Sequence, residues 1–211
     1  IDDVGVPNNL FVCSSFHPEK HIQPKSISWL KSISKKGTLI GAVDTGCYLL
    51  AAANLLKNRR ITLHWEAAPA FSEDYPDVEL TNELFEIDRN LVTCAGGTAA
   101  NDLMLHIIQA ELGHELTLAV CEQFIKSGIR QKSDKQRINL AARLKVHHPR
   151  LLKVLTLIEE NLDNPLSTTM LAEHAHISVR QLERLFRSHL NCSPSGYYIR
   201  LRLERARHLL R

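Results

Sequence analysis

The first 126 residues alternate between short apolar runs and segments with helical spacing. Residues 10–13 and 38–43 are apolar runs of strand length, and residues 24–36 between them place apolar side chains three positions apart. After a turn at Asp44, a second helical segment is expected to extend to Leu56. The order strand, helix, strand, helix is typical of a parallel sheet covered by helices.

The rest of this half predicts two more strands and two more helices. Short strands are expected at residues 84–87 and 91–94, with turn-forming residues between them. Beyond a pair of glycines, Thr98 is expected to cap a long helix. A further helix over residues 115–126 closes this half of the chain.

The C-terminal segment has helical periodicity throughout. Its first helix repeats apolar residues every three or four positions, at Leu151, Leu155, Ile158 and Leu162. Ser167 is expected to cap a short second helix, and Ser178 a third helix. The third helix carries an apolar stripe made of Leu182, Leu185 and Phe186. Two short capped helices joined by a tight turn are typical of a helix-turn-helix.

Charge and polarity divide the chain. Residues 127–149 are polar and charged, and they predict a linker between an α/β domain at 1–126 and a helical domain at 150–211. The net charge is only +3, but residues 1–140 carry 14 basic and 17 acidic side chains, whereas residues 141–211 carry 12 and 6. This asymmetry favours a polyanion-binding module joined to a domain with another task.

The third helix of the C-terminal segment has the side chains that read DNA bases. If its apolar stripe faces the core, the opposite face presents Arg180, Glu183, Arg184 and Arg187. Arginine makes bidentate bonds to guanine and glutamate accepts a bond from cytosine N4, so this face suits the major groove of double-stranded DNA. The alternative is a solvated charged face in an ordinary helical bundle.

Several motifs within the last 47 residues carry a specific resemblance. They are Pro165-Leu-Ser, the run 177–187, Ser193-Pro, Tyr197-Tyr and the run 200–210. Together they closely resemble the first helix-turn-helix of AraC/XylS-type regulators and the start of the helix that follows it. The resemblance implies base contacts by Arg180, Glu183 and Arg184, with Arg187 nearer the phosphates. It also implies a second helix-turn-helix beyond Arg211.

Residues 10–126 are similar to the PfpI/class I glutamine-amidotransferase-like domain in the version fused to AraC-type DNA-binding domains. The motifs that carry this likeness are 41–51, Leu55-Leu56, 63–66, 75–78, 93–99 and 102–106. The resemblance implies an α/β fold, a flavodoxin-like parallel-sheet sandwich, whose opening strands and helix precede Ile1.

Enzymes of this fold place a cysteine nucleophile at the sharp turn between a strand and a helix. This chain has Asp44 at that position, and Gly46 where the turn is tight. A carboxylate does not perform thiolate chemistry, so the resemblance implies a sensor for a nitrogen-rich metabolite such as arginine, carnitine or glycine betaine. The alternative for Asp44 is an N-cap of its own helix.

The sensor hypothesis gives roles to the residues around this turn. Asp44 would pair with an ammonium or quaternary cation, backbone amides from Thr45 to Cys47 would hold a carboxylate, and Trp65 would offer a cation-π face. The resemblance adds His64 and Glu66 to this effector site. The competing hypothesis is an amidase- or hydrolase-like enzyme that uses Cys47 and His64.

Cysteine spacing and hydropathy limit the remaining possibilities. The five cysteines are scattered without a C-x-x-C spacing, which favours reduced packing thiols, and neither a metal nor another cofactor is predicted. The first residues lack the basic and apolar regions of a signal peptide, and no apolar run is long enough to span a membrane, so neither feature is expected. We expect a cytoplasmic homodimer with RNA polymerase as a further candidate partner. A third hypothesis is a scaffold whose basic tail binds proteins.

Overall fold

A computed structural model of the chain describes residues 5–209. These residues form two compact units, one ending at Gln136 and the other beginning at Arg137. Each unit has its own buried apolar core. Among the described residues, no helix is both long and apolar enough to cross a membrane.

The described strands of the first unit are β1 (Asn9–Ser14), β2 (Leu39–Asp44), β3 (Arg60–Ile61), β4 (Glu79–Leu80), β5 (Phe85–Asp88) and β6 (Leu91–Cys94). Four of them form a sheet with the order β1-β2-β6-β5. Strands β1, β2 and β6 are parallel, as predicted, but β5 runs antiparallel to β6 because the two are joined by a tight turn in which Arg89 has a φ of 59°. The short strands β3 and β4 pair with each other in parallel and were not predicted.

Five α-helices and one 3-10 helix accompany these strands in the described part of the unit. The 3-10 helix spans Pro18–His21. The α-helices are α1 (Pro24–Ser34), α2 (Cys47–Ala52), α3 (Ala68–Asp74), α4 (Ala99–Leu112) and α5 (His114–Gln123).

The end of α2 and the start of α4 differ from the sequence-based expectation. Helix α2 ends at Ala52 rather than Leu56, because Asn54 adopts the left-handed conformation with a φ of 57° that commonly terminates helices. Thr98 does not cap α4 through its side chain. It has a helical backbone, and its hydroxyl instead accepts a hydrogen bond of 2.7 Å from the Arg130 guanidinium.

Apolar side chains cover both faces of the sheet. Ile40 and Ala42 belong to one cluster, whereas Leu39 and Val43 pack against the other. Since successive residues of a strand point to opposite faces, the two clusters lie on opposite sides of β2. The sheet is therefore a buried layer, and Ser14 and Asp44 lie side by side at the carboxyl ends of β1 and β2.

Residues 127–149, predicted to be a linker, are divided between the two units after Gln136. The first part of this segment bonds to the first unit, where the backbone N–H of Leu84 donates to the carbonyl of Lys132 at 3.0 Å. The later part belongs to the second unit and forms helix α6 (Leu140–Leu144), which Asn139 caps.

The second unit is a helical bundle. After α6 it contains α7 (Pro149–Glu160), α8 (Thr168–His174), α9 (Val179–Leu190) and α10 (Pro194–Leu209). Its core is formed mainly by Leu151, Leu155, Ile158, Leu182 and Phe186, all with no accessible surface. The Tyr198 hydroxyl donates to the Asn161 carbonyl at 2.6 Å and accepts from the Leu166 N–H, which holds α10 against the turn after α7.

Candidate functional site

Helix α9 is fixed at its start and along one face. The Ser178 hydroxyl accepts from the Gln181 N–H at 3.2 Å, so Ser178 is the N-cap as predicted, and the Gln181 side chain accepts from the Ser178 N–H at 2.9 Å, which completes a capping box. Leu182 and Phe186 are fully buried, and the Phe186 ring lies 5.8 Å from that of Tyr197. The predicted apolar stripe is therefore confirmed.

The opposite face of α9 carries the four predicted DNA-reading side chains. Arg180, Glu183, Arg184 and Arg187 are all exposed. Within residues 5–209, none of the four forms an ion pair with another side chain. Their charges are thus available to an external partner.

The turn before α9 sets its direction. Helix α8 is capped by Ser167, whose hydroxyl accepts from the Met170 N–H at 3.2 Å. It ends where His176 takes a left-handed φ of 53°, and the Ile177 N–H then bonds back to the Ala172 carbonyl at 3.0 Å. Ala172 and Ala175 are buried, so small side chains let α8 pack closely within the bundle. This is a helix-turn-helix with α9 as its second helix.

The first unit has a second candidate site at the carboxyl end of β2. Asp44 sits at this turn with a φ of 61°, a conformation that few non-glycine residues adopt and that tends to occur at functional sites. Gly46 permits the turn, because a Cβ atom there would lie 2.1 Å from the Val12 carbonyl oxygen. The β2 strand therefore presents Asp44 at a sharp bend, as predicted.

Asp44 interacts electrostatically with His64 and Glu66. Burial raises the pKa of the Asp44 carboxyl, the His64 imidazole opposes this rise, and the Glu66 charge adds to it. The Trp65 ring, which is 37% exposed, lies 5.4 Å from the His64 ring. The structure thus brings together an aspartate, an imidazole, a second carboxylate and an aromatic ring.

Thr45 and Cys47 are engaged inside the fold. The Thr45 hydroxyl donates to the Ser15 carbonyl, and its N–H donates to the Ser14 carbonyl at 3.3 Å. Cys47 has no accessible surface, its thiol donates to the Thr62 carbonyl at 3.5 Å, and burial raises its pKa strongly. A buried neutral thiol is neither an effector contact nor a nucleophile, which corrects both sequence-based hypotheses for Cys47.

One further expectation about this turn is corrected. Gly46, and not Asp44, occupies the N-cap position of α2, and no side chain caps that helix. The Thr45 N–H donates to the Ser14 carbonyl and also lowers the pKa of the Asp44 carboxyl, and the Gly46 N–H donates to the Val43 carbonyl, so an effector carboxylate held by these amides stays a prediction. The structure therefore leaves Asp44, His64, Trp65 and Glu66 as the effector-site candidates.

The comparisons with known proteins cover both units. Residues 17–110 match the DJ-1/PfpI family, and residues 171–211 match a helix-turn-helix domain. CdhR of Pseudomonas aeruginosa, an HTH-type transcriptional regulator, is 46% identical over 202 residues, which cover 96% of this chain and 60% of that protein. The chain joins a DJ-1/PfpI domain to an AraC-type helix-turn-helix domain.

Two further relatives agree with this assignment. GbdR, another HTH-type transcriptional regulator of P. aeruginosa, is 40% identical over 210 residues, which cover 100% of this chain and 57% of that protein. A crystal structure of a protein from Vibrio parahaemolyticus is 28% identical, with a TM-score of 0.52, and the match covers 59% of this chain and 67% of that one. The chain spans less than two thirds of the length of these curated relatives.

Gly96 is a neighbour of Asp44 in the DJ-1/PfpI domain that was not predicted from the sequence. Gly96 has a φ of +83°, and a Cβ atom on it would lie 2.6 Å from the Asp44 Cβ and 2.7 Å from its carboxylate. The only signal in the sequence was the pair of glycines shortly after the buried strand β6. These glycines were interpreted as preceding the start of a helix. Among the described residues, no group of His, Cys, Asp and Glu side chains forms a metal site.

Burial of Asp44 makes ionisation costly, so Asp44→Asn should raise the melting temperature of the ligand-free protein at neutral pH. The folded protein holds the Asp44 proton more tightly than the unfolded chain, and stability is therefore lost as pH rises through the raised pKa. At about pH 3, where aspartate is largely protonated in both states, the two proteins should melt alike. Thermal melts from pH 3 to 8 test this, and a lower melting temperature of the variant at pH 7 would contradict it.

Proposed function

We propose that this chain is part of a transcriptional regulator that binds double-stranded DNA with α9 in the major groove. The observation that carries the proposal is the two-sided character of α9, which has Leu182 and Phe186 in the core and an exposed, unpaired charged face opposite. Its relatives CdhR and GbdR, which align over nearly the whole chain, are HTH-type transcriptional regulators. The excess of basic residues after residue 140 supports the same partner.

The four exposed side chains of α9 are expected to have different roles in DNA binding. Arg180, Glu183 and Arg184 lie in the first two turns of α9, which is the part of a recognition helix that meets base edges. Arg187 lies one turn further along and suits a backbone phosphate. We assign base reading to the first three and phosphate binding to the fourth.

Arg184→Ala should remove discrimination at one or two base pairs and leave the fold intact. A bidentate contact between arginine and guanine contributes about 1–3 kcal/mol of discrimination, which is roughly 5- to 150-fold in affinity for the operator. The complete protein is used to select an operator from random duplex DNA, and affinities for this operator and a scrambled duplex are compared. Arg150→Ala is the matched control, because Arg150 is exposed on α7 of the same unit. Equal losses on both duplexes would make Arg184 a phosphate contact.

The DJ-1/PfpI domain serves, in this proposal, as a non-catalytic sensor. Asp44 stands where enzymes of this fold place their nucleophile, and Cys47 is buried and protonated. Two carboxylates, an aromatic ring and an imidazole favour a cationic, amino-acid-like or betaine-like effector.

We infer that the regulator acts in the cytoplasm as a homodimer, since a two-fold protein matches paired half-sites on DNA. Sedimentation of the complete protein tests the dimer.

Asp44 is expected to hold the cationic group of the effector. The complete protein should gain thermal stability with one member of a panel of amino acids, betaines and carnitine, because a ligand that binds only the folded state stabilises it. Asp44→Asn keeps the side-chain shape and removes the charge, so it should erase that gain. Asp134→Asn, which alters an exposed carboxylate of the same unit, is the control. A full gain with a cationic ligand in Asp44→Asn would exclude the ion pair.

A further inference from the structure

The last part of the DJ-1/PfpI unit is held to it by an unusual density of polar contacts. We call residues 126–136 the anchoring segment, because they follow α5 and end where the second unit begins. Asp102 in the first turn of α4 has no accessible surface and accepts from Lys126 and from the Arg130 guanidinium, the latter at 2.6 and 2.8 Å. The Arg130 backbone N–H donates to the same carboxylate at 3.2 Å.

The end of the anchoring segment is tied by the Gln136 side chain. Its Nε2 amide donates toward the Thr62 hydroxyl at 3.0 Å, the Leu63 carbonyl at 3.2 Å and the Glu83 carbonyl at 2.9 Å. Thr62 and Leu63 are buried, so this amide reaches into the α/β unit rather than resting on its surface. Gln136 is also the last residue before the second unit, which starts at Arg137.

Two attachment points of the anchoring segment adjoin the candidate effector site. Leu63, which receives the Gln136 amide, directly precedes His64 in the chain. Thr98, which receives the Arg130 guanidinium, lies two residues after Gly96, and Gly96 leaves no room for a Cβ beside the Asp44 carboxylate. The segment is therefore held by groups that lie one residue from His64 and two residues from Gly96 along the chain.

From these contacts we propose that Gln136 is a positioning residue that couples the effector site to the DNA-binding unit. An effector that moves the His64 loop changes the acceptors of the Gln136 amide, and this alters how firmly the chain is held where it enters the second unit. The segment has two arrangements in this scheme, held and released, and the effector and the DNA each favour one of them. The inference rests on the proposed function, since it requires both an effector site and DNA binding.

Linkage provides a test that does not require the effector to be known. If an effector bound at the Asp44 and His64 site changes the affinity for DNA, then bound DNA must change the affinity for the effector by the same factor. We therefore expect the selected operator duplex, added to the complete protein, to change amide hydrogen exchange of residues 62–66 and 130–136 by about tenfold. A scrambled duplex at the same salt concentration should leave these residues unchanged.

Two variants of Gln136 distinguish coupling between the effector site and DNA binding from a general loss of stability. Gln136→Ala, and Gln136→Glu as a second variant of similar size, should still bind the operator but show no DNA-dependent change at residues 62–66. Gln131→Ala is the matched control, because Gln131 is an exposed glutamine in the same segment, and it should behave like the unmodified protein. A DNA-dependent change at residues 62–66 that survives in both Gln136 variants would overturn the proposal, as would its absence from the unmodified protein bound to operator. Failure to select any operator would instead refute the proposed function.

Discussion

Phe186→Ala is expected to lower the free energy of unfolding of the helical unit by about 3–5 kcal/mol, the usual cost of emptying a buried phenylalanine site. Phe186 has no accessible surface, and it lies on the inner side of α9 against Tyr197. Removing the ring takes away the contact that seats the proposed recognition helix, so operator binding should fall together with stability. The measurement is urea unfolding of the chain followed by far-UV circular dichroism.

Tryptophan fluorescence shows whether Phe186→Ala destabilises only the helical unit. Trp29 and Trp65 both lie in the DJ-1/PfpI unit, so their fluorescence follows that unit and not the helical one. Phe186→Ala should therefore leave the fluorescence transition in place. Met170→Ala, an exposed position on α8, is the control and should change stability by less than about 1 kcal/mol. If the fluorescence transition shifted as far as the dichroism transition, the two units would not unfold independently.

Asp102→Asn should destabilise the DJ-1/PfpI unit by about 3 kcal/mol. The Asp102 carboxylate is buried and accepts bonds from two cationic side chains and one backbone N–H, and hydrogen bonds to charged groups contribute more than neutral ones. An amide keeps the size but turns one acceptor into a donor that faces Lys126 and Arg130. Here the tryptophan fluorescence transition should move to lower urea concentration.

An exposed carboxylate nearby controls for the loss of charge. Asp134 accepts a bond of 2.8 Å from the Gln131 N–H at the surface. Asp134→Asn should cost less than about 1 kcal/mol, because water screens and replaces its interactions. An equally small effect for Asp102→Asn would mean that Lys126 and Arg130 are well satisfied by solvent, and the anchoring segment would then be only loosely held.

Local signals in the sequence predicted the helix-turn-helix well. Ser167 and Ser178 act as N-caps, and the apolar stripe through Leu182 and Phe186 is buried as its spacing required. These features depend on residues within one or two helical turns, which a single sequence displays directly. The exposed face of α9 followed from the same periodicity.

Long-range polar contacts explain what the sequence did not show. Thr98 has the sequence of a cap, but Arg130, 32 positions away, binds its hydroxyl. Cys47 stands beside the predicted turn, and only the packed fold shows that it is buried. Gln136 lies in a polar stretch that has no periodicity, so nothing in its neighbours marks it as an anchor. Pairings of this kind are set by topology, and local pattern carries no record of them.

The contact between Gly96 and Asp44 limits how sequences of this kind can diverge. With a φ of +83° and a Cβ position 2.6 Å from the Asp44 side chain, residue 96 has to be glycine for as long as residue 44 keeps its present side chain and backbone. Loss of the carboxylate alone would not release position 96, because the positive φ and the Cβ atom of residue 44 would both remain, so position 96 should stay glycine wherever residue 44 carries a Cβ atom.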